Sequence, residues 1–445
     1  MATVTVSIGS NQSIDTETTA SCSGSDPYVA TFGTTPSGIA VGDLATGSDA
    51  FASTFIWLVT AIDGDDITFK YVSGGMGAAS PCSIGSFGGG GVITFKRYYS
   101  TITLWEAGLD DTGLYSSGDD AVGECYDDST FNEQVTINDG DTVGLDSVTL
   151  SVASGERHDG TAGSGARLVL TGNLSGGQSR ILFDIDYEMD VTVEWLEFDG
   201  AGYGGTGSNT YIFDLGGVDT ASDYKTVSKC IIHHFSNKYK CYTIRTHDTR
   251  SDYKINNNFI YNMQSSNAGS SAADNVAIEI YNPRNNSYYH NNTIHDLWTR
   301  DAVDESGDIV MIETDNDAQA FCNNNLVTGP GRNAGGECFD SADPAGDYSN
   351  NLSSDDTADG TDCLINKSAA DQYESSTVDS EDLHLKSGAD AIGAGKDVGT
   401  TGDANVDING RDRHSEGDTW DIGAHQTEPA AAATANPAFL MFVDT

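Results

Sequence analysis

The chain has 445 residues, 67 of them acidic and 21 basic, for a formal charge of −46. A surface this negative repels phosphate backbones and has no patch that would release counter-ions, which excludes nucleic acid as a partner. The 51 glycines against 8 prolines, with many Asn, Asp, Ser and Thr and no long Leu, Ala, Glu or Lys stretch, point to short strands joined by turns and so to an all-β chain. No apolar run approaches the roughly 18 residues of a membrane span.

Residues 1–98 read as a small N-terminal β domain. Phe55–Val72 alternates as two strands about an Asp-Gly turn at Asp63 and Gly64, a hairpin signal. The run Gly88–Gly91 then marks a loop or linker. Cys22 and Cys82 flank this segment; they are read either as a disulfide pair or, like the other six cysteines, as small buried apolar residues. None of the eight has CxxC spacing, which excludes a zinc ribbon.

Residues 99–184 read as a helix cap and first coils. The stretch YSTITLWEAGLDD predicts one short helix around Trp105, followed by strands such as QVTIN and SVTLSV. An amphipathic element sealing the open end is what a stacked core requires, because the first repeat has no neighbour to bury its face.

Residues 185–426 read as one stacked solenoid, and within 185–370 a degenerate repeat appears. One register aligns Trp195-Leu-Glu-Phe, Cys230-Ile-Ile-His, Asn258-Phe-Ile-Tyr, Asn292-Thr-Ile-His, Asn325-Leu-Val-Thr and Asn351-Leu-Ser-Ser, recurring at roughly 26–35 residues. A second aligns Phe213-Asp214, Ile244-Arg245, Ile278-Glu279, Ile312-Glu313 and Phe339-Asp340. Both advance together, as two strands of one coil must. The asparagines are expected to stack their amides into a hydrogen-bonded ladder, with Ile260, Ile294 and Val327 stacked beside them in the core.

This repeat resembles the parallel β-helix, or pectate-lyase-like, superfamily. Trp105-Glu106, Glu156-Arg-His-Asp-Gly160, Leu383–Gly395 and Trp420-Asp-Ile-Gly-Ala-His425 resemble β-helix proteins of marine phage and bacteria whose last coil ends in a DIGA motif. The resemblance spans about 99–426. It implies a right-handed parallel β-helix solenoid; with the small N-terminal β domain and the extended C-terminal tail read from the residues themselves, the fold class is all-β.

Two constellations offer chemistry. The second register stacks Asp214, Arg245, Glu279, Glu313 and Asp340 outward, about 4.8 Å apart, near the roughly 5–5.5 Å separation of a retaining glycosidase pair. Glu279 and Glu313 are therefore the candidate catalytic residues, weighed against an ordinary salt-bridge ladder through Arg245. The stretch Asn405–Glu416 places Asn405, Asp407, Asn409 and Glu416 at the first, third, fifth and twelfth positions of a Ca2+ loop with Gly410 sixth. Against that, Arg411 and Arg413 are expected to pair with nearby acids. His233, His234, His247, His290 and His295 fall at different points of the coil and are not expected to gather into a metal triad.

Residues 427–445 form a small-residue linker and an apolar tail, Phe439, Leu440, Met441, Phe442 and Val443, read as a strand that docks on a neighbouring subunit or another protein. The amino terminus, MATVTVSIGSNQSID, lacks the basic and apolar regions of a Sec signal, which fits a virion component released by lysis. The expected function is a non-enzymatic phage surface protein, a tail spike, fibre or capsid decoration. Its expected partners are two further copies in a homotrimer, other virion proteins and host cell-surface glycan. A glycan-cleaving tailspike or polysaccharide lyase is the alternative, and a bacterial adhesin the third reading.

Overall fold

The computed structural model describes residues 2–10, 13–24, 26–48, 54–74, 92–128, 130–170, 179–186, 189–200, 209–216, 223–237, 240–247, 251–265, 275–281, 287–299, 309–315, 320–330, 336–341, 346–400, 404–414 and 419–428. Three parallel sheets wind around one core, forming a parallel β-helix. Each coil contributes one strand per sheet: Asp252–Asn256 to the first, Phe259–Ser265 to the third and Asn275–Tyr281 to the second, before the chain returns to the first at Ser287–His290.

Inward side chains stack coil upon coil. Ile260 pairs with Ile294 and Ile294 with Val327, all in one continuous apolar core. Burying each such side chain contributes about 1.5–3 kcal/mol.

The asparagine ladder is present. Asn258 Nδ2 donates to Asn292 Oδ1 at 3.0 Å, Asn292 Nδ2 to Asn325 Oδ1 at 3.0 Å, and Asn325 Nδ2 to Asn351 Oδ1 at 3.1 Å. Above it the Cys230 amide donates to Asn258 Oδ1, and below it the Asn351 amide faces Cys363 Sγ. The preceding residue of each coil, Lys229, Asn257, Asn291, Asn324 or Asn350, is left-handed, with φ between 53° and 60°. Asparagine adopts that conformation at low cost, so the Asn-Asn doublets combine a turn residue with a ladder residue.

Trp195 belongs to the left-handed column, at φ 64°. Glu197 pairs with Ile231, so Trp195 aligns with Lys229 rather than with Cys230, one residue from the expected register. Its indole is covered by His158, Arg157 and Lys229. It is a packing residue where later coils have asparagine.

At the N-terminal end, Thr101 Oγ1 caps the short helix Ile102–Glu106 by accepting from the Leu104 amide at 3.1 Å. Trp105 from this helix is fully buried, and a Cβ on Gly123 would lie 2.6 Å from its ring. The first coil thus has glycine where the indole closes the core. Six strands between Asp15 and Lys96 close a separate antiparallel barrel. Its hairpin turns at Gly64 and Asp65, one residue later than expected, with Gly64 left-handed at φ 57°.

The first strand, Thr3–Ile8, lies outside that barrel and pairs with Asp120–Cys125 of the solenoid, so the N-terminal segment contributes to both structures. Arg97 joins them, 3.0 Å from both Asp43 Oδ1 in the barrel and Asp128 Oδ2 in the solenoid. The run Gly88–Gly91 and Cys82 lie outside the described residues. Cys125, Cys230, Cys241, Cys322 and Cys338 are buried free thiols, and Cys363 is a half-buried one.

The C-terminal segment does not continue the winding to residue 426. The last bridges of the solenoid join Ser349 to Thr361 and Leu352 to Leu364; the chain then runs back over the outer side of the third sheet. Ile231, Phe259, Leu326 and Leu352 point outward there and are buried by Leu383, Leu385, Ile408, Ile422 and Ala424. The Gly423 amide donates to Asn324 O at 2.8 Å, and the Ala424 amide to Thr293 Oγ1 at 2.9 Å. The DIGA stretch therefore seals a flank of the solenoid instead of forming its last coil. The reason is the apolar outer row, which water would otherwise cover.

Candidate functional site

The second sheet carries the charged column in the expected register: Asp184, Asp214, Arg245, Glu279, Glu313 and Asp340 pair from coil to coil. Phe213, Ile244, Ile278, Ile312 and Phe339 lie in the core beside them. Ile212 and Phe213 are consecutive yet both enter the core, as are Ala277 and Ile278. Strand alternation breaks at these pairs, leaving Tyr211 and Asp214 both on the outer side. Tyr211, Tyr242 and Val276 form their own apolar cluster, with the two rings stacked 5.1 Å apart.

The charged groups converge beside this cluster. Arg245 Nε lies 2.8 Å from Glu279 Oε2, the Arg245 guanidinium 5.1 Å from the Tyr211 ring, and His247 Nε2 3.0 Å from Asp214 Oδ1. Among the described residues, Arg245 Nε, Glu279 Oε2 and Asp214 Oδ1 are withdrawn from water without a well-aligned hydrogen bond. They are within ion-pair distance but off the directions that hydrogen bonding favours. Burial pushes the Glu279 carboxyl above its usual range, with Arg245 pulling the other way. The Asp214 carboxylate 3.0 Å from its Nε2 raises His247, against the effect of burial. Arg245 and His247 keep part of their side chains in water, at 29% and 33% exposure.

Glu279 and Glu313 are neighbours on adjacent coils, and it is Glu279 that Arg245 engages. Tyr211 and Tyr242 are not among the sequence candidates, and His247 enters there only as one of five dispersed histidines. His247 had a readable signal, since it follows Arg245 at the two-residue spacing of one strand face. The tyrosines did not, because the doubled inward pair shifts them out of simple alternation.

The comparisons with known proteins are sparse. No protein-family model matches the chain, and no curated protein matches it. Among solved structures, the tailspike protein gp49 from Pseudomonas phage LKA1 matches at 11% identity and a TM-score of 0.14. That match covers 82% of this chain, which spans 61% of the other protein's length. A likeness at that score carries no argument about fold or function.

The Asn405–Glu416 stretch is drawn into the C-terminal packing. Asp407 is fully buried; its Oδ1 accepts from the Asn409 and Arg411 amides at 2.9 and 2.7 Å, and its Oδ2 from the Gln426 amide at 2.9 Å. Asn409 Oδ1 faces His384 Nε2, and Asn405 Nδ2 donates to Asp412. These contacts hold a closed turn. Glu416 lies outside the described residues, as do Phe439, Leu440, Met441, Phe442 and Val443. The fully buried Arg413 donates to oxygens of Asp421, Gln426, Asn257 and Gly423 that are all neutral, not to the acids expected for it. Burial lowers its pKa to about 10.

One expectation is overturned. His233 and His234 do gather, each offering a ring nitrogen within 4.8 Å of an Asp199 carboxylate oxygen and of the other. Asp199 and His233 are aligned on adjacent coils, and the left-handed φ of 59° at His234 turns the next side chain to the same side.

Proposed function

We propose that the chain is a structural surface protein of a phage particle, of the tail-spike, fibre or capsid-decoration kind, which holds host-surface glycan without cleaving it. The observation that carries the glycan contact is the outward patch of Asp214, Arg245, His247 and Glu279, in which the Arg245 and His247 side chains stay 29% and 33% exposed and leave polar groups for a ligand to satisfy. Sugar hydroxyls donate and accept, so they would meet that demand where apolar ligands would not. A parallel solenoid supports the reading by repeating its outer side chains about every 4.8 Å, a rigid template for an extended chain. The ion pair with Arg245 favours binding over catalysis, because it occupies the carboxylate that would otherwise act.

In this reading three copies associate laterally, and the tail 427–445 docks on a neighbouring subunit or another virion protein. Gold-labelled antibody against the chain is expected to decorate the tail or capsid of purified particles. Label confined to the surface of uninfected bacteria would contradict this and favour an adhesin. A second reading, a glycan-cleaving tailspike or lyase, is favoured by one observation: the raised Glu279 carboxyl, the direction a general acid requires.

A further inference from the structure

We infer that Asp199, His233 and His234 form a site for a divalent transition-metal ion, one that pins the C-terminal segment to the wall of the solenoid. The outer nitrogen of each ring is already held by a carboxylate. His233 Nε2 lies 3.0 Å from Glu197 Oε1, and His234 Nε2 lies 3.3 Å from Asp379 Oδ1. An ionised carboxylate only accepts, so each Nε2 carries the ring proton and each Nδ1 of a neutral ring is a bare lone pair. Those two Nδ1 atoms face each other in close contact. Asp199 Oδ1 is 4.0 Å from His233 Nδ1.

Two lone pairs and a carboxylate brought together form a ligand set for a cation. Zinc holds such ligands at about 2.0–2.2 Å, which places the donor atoms about 3–4 Å from one another, so small movements close the set. Two imidazoles and one carboxylate suit zinc, nickel, copper or ferrous iron better than calcium or magnesium. Carboxylates on the far ring nitrogens are the outer support that metal-ligating histidines usually have. Tyr261 adds to it by stacking on His233, with ring centres 5.1 Å apart and planes within 6°.

The site also joins distant segments. Asp379 lies in the turn between the strands Tyr373–Thr377 and Ser380–Leu385, on the segment that runs back over the third sheet, and it also accepts from Asn262 Nδ2 at 3.2 Å. His233 is nearly buried while His234 keeps 26% of its side chain exposed, which leaves a route for an ion and its remaining water ligands.

Zinc titrated calorimetrically into the chelator-stripped full-length protein is expected to bind at one ion per chain and to raise the melting temperature. Cobalt in its place should give the visible absorption of a nitrogen and oxygen ligand field. His234→Ala and Asp199→Asn should abolish binding with an unchanged circular dichroism spectrum, and His247→Ala should leave it intact. Asp379→Ala, at a side chain 78% exposed, should weaken affinity about 10–100-fold. No zinc uptake by the wild-type chain would overturn the inference, as would full uptake by His234→Ala. A proton shared between the two Nδ1 atoms at pH 8, seen by nitrogen NMR without zinc uptake, would assign the contact to a hydrogen bond and overturn it too.

Discussion

Replacing Asn292 by Leu is expected to destabilise the solenoid by about 3–5 kcal/mol, at the high end of single substitutions. The side chain is fully buried and every polar atom on it is used. Its Oδ1 accepts from Asn258 N at 3.2 Å and Asn258 Nδ2 at 3.0 Å, while its Nδ2 donates to Ile255 O at 2.8 Å and to Asn325 Oδ1. Leucine has similar volume and leaves the Asn258 amide and the Ile255 carbonyl without these partners in a dry turn. Each orphaned group costs about 1–3 kcal/mol. The loss should appear first as faster hydrogen exchange in the coils around residues 255–260 and 290–295, since each coil leans only on its neighbours. Unchanged exchange there, with a urea midpoint equal to wild type, would show that the ladder does not hold the turn.

Acidification should produce the second large effect. Burial lowers His158 to about 4 and His290 to about 3, and likewise lowers His425 to about 3. Geometry agrees for two of them. His158 Nδ1 accepts from the Gly160 amide, with Nε2 2.9 Å from Lys229 O, and His425 Nδ1 accepts from the Leu385 amide at 3.0 Å. A proton on either accepting nitrogen would break its bond.

The sign follows from which state takes the proton first. Between pH 6.5 and about 4 the unfolded chain binds protons at these rings and the folded chain does not, so stability falls as pH falls. At pH 4.5 His158 and His290 should each cost roughly 2–3 kcal/mol relative to pH 7.5. Asp43 and Asp407, whose carboxyls burial raises, work in the opposite direction at the lower end of that window. Melting temperatures measured from pH 7.5 to 4.5 should drop steeply below 6.5, and His290→Phe should flatten part of the curve. A flat profile in the wild-type chain would contradict the buried neutral rings.

The solenoid was legible because its two registers advance in step, and Asn258, Asn292 and Asn325 fall in one column as their spacing requires. The one-residue slip at Trp195 arose where the asparagine rule lapses. Without an asparagine marker, a short strand such as Glu197–Asp199 fits two adjacent registers about equally well. The return of the C-terminal segment was hidden because outward Ile231, Phe259, Leu326 and Leu352 read as ordinary strand residues, and nothing local says which face they occupy. The histidine cluster depends on two things that spacing alone does not reveal: the pairing of Asp199 with His233 across coils, and the left-handed turn at His234. The charged column was legible as a row, but its closing by His247 and its flanking tyrosines depended on the doubled inward residues at Ile212 and Phe213.

Glycan retention by the second-sheet patch is the most direct test of the proposed role. Purified protein incubated with host capsule or lipopolysaccharide should retain the glycan at its original length, with no new reducing ends or unsaturated sugars. Arg245→Ala should weaken retention by about tenfold or more, the equivalent of at least about 1.4 kcal/mol, while the fold is kept. Shortened glycan, with the shortening abolished by Glu279→Gln or Glu313→Gln, would contradict a binding role and establish an enzyme in its place.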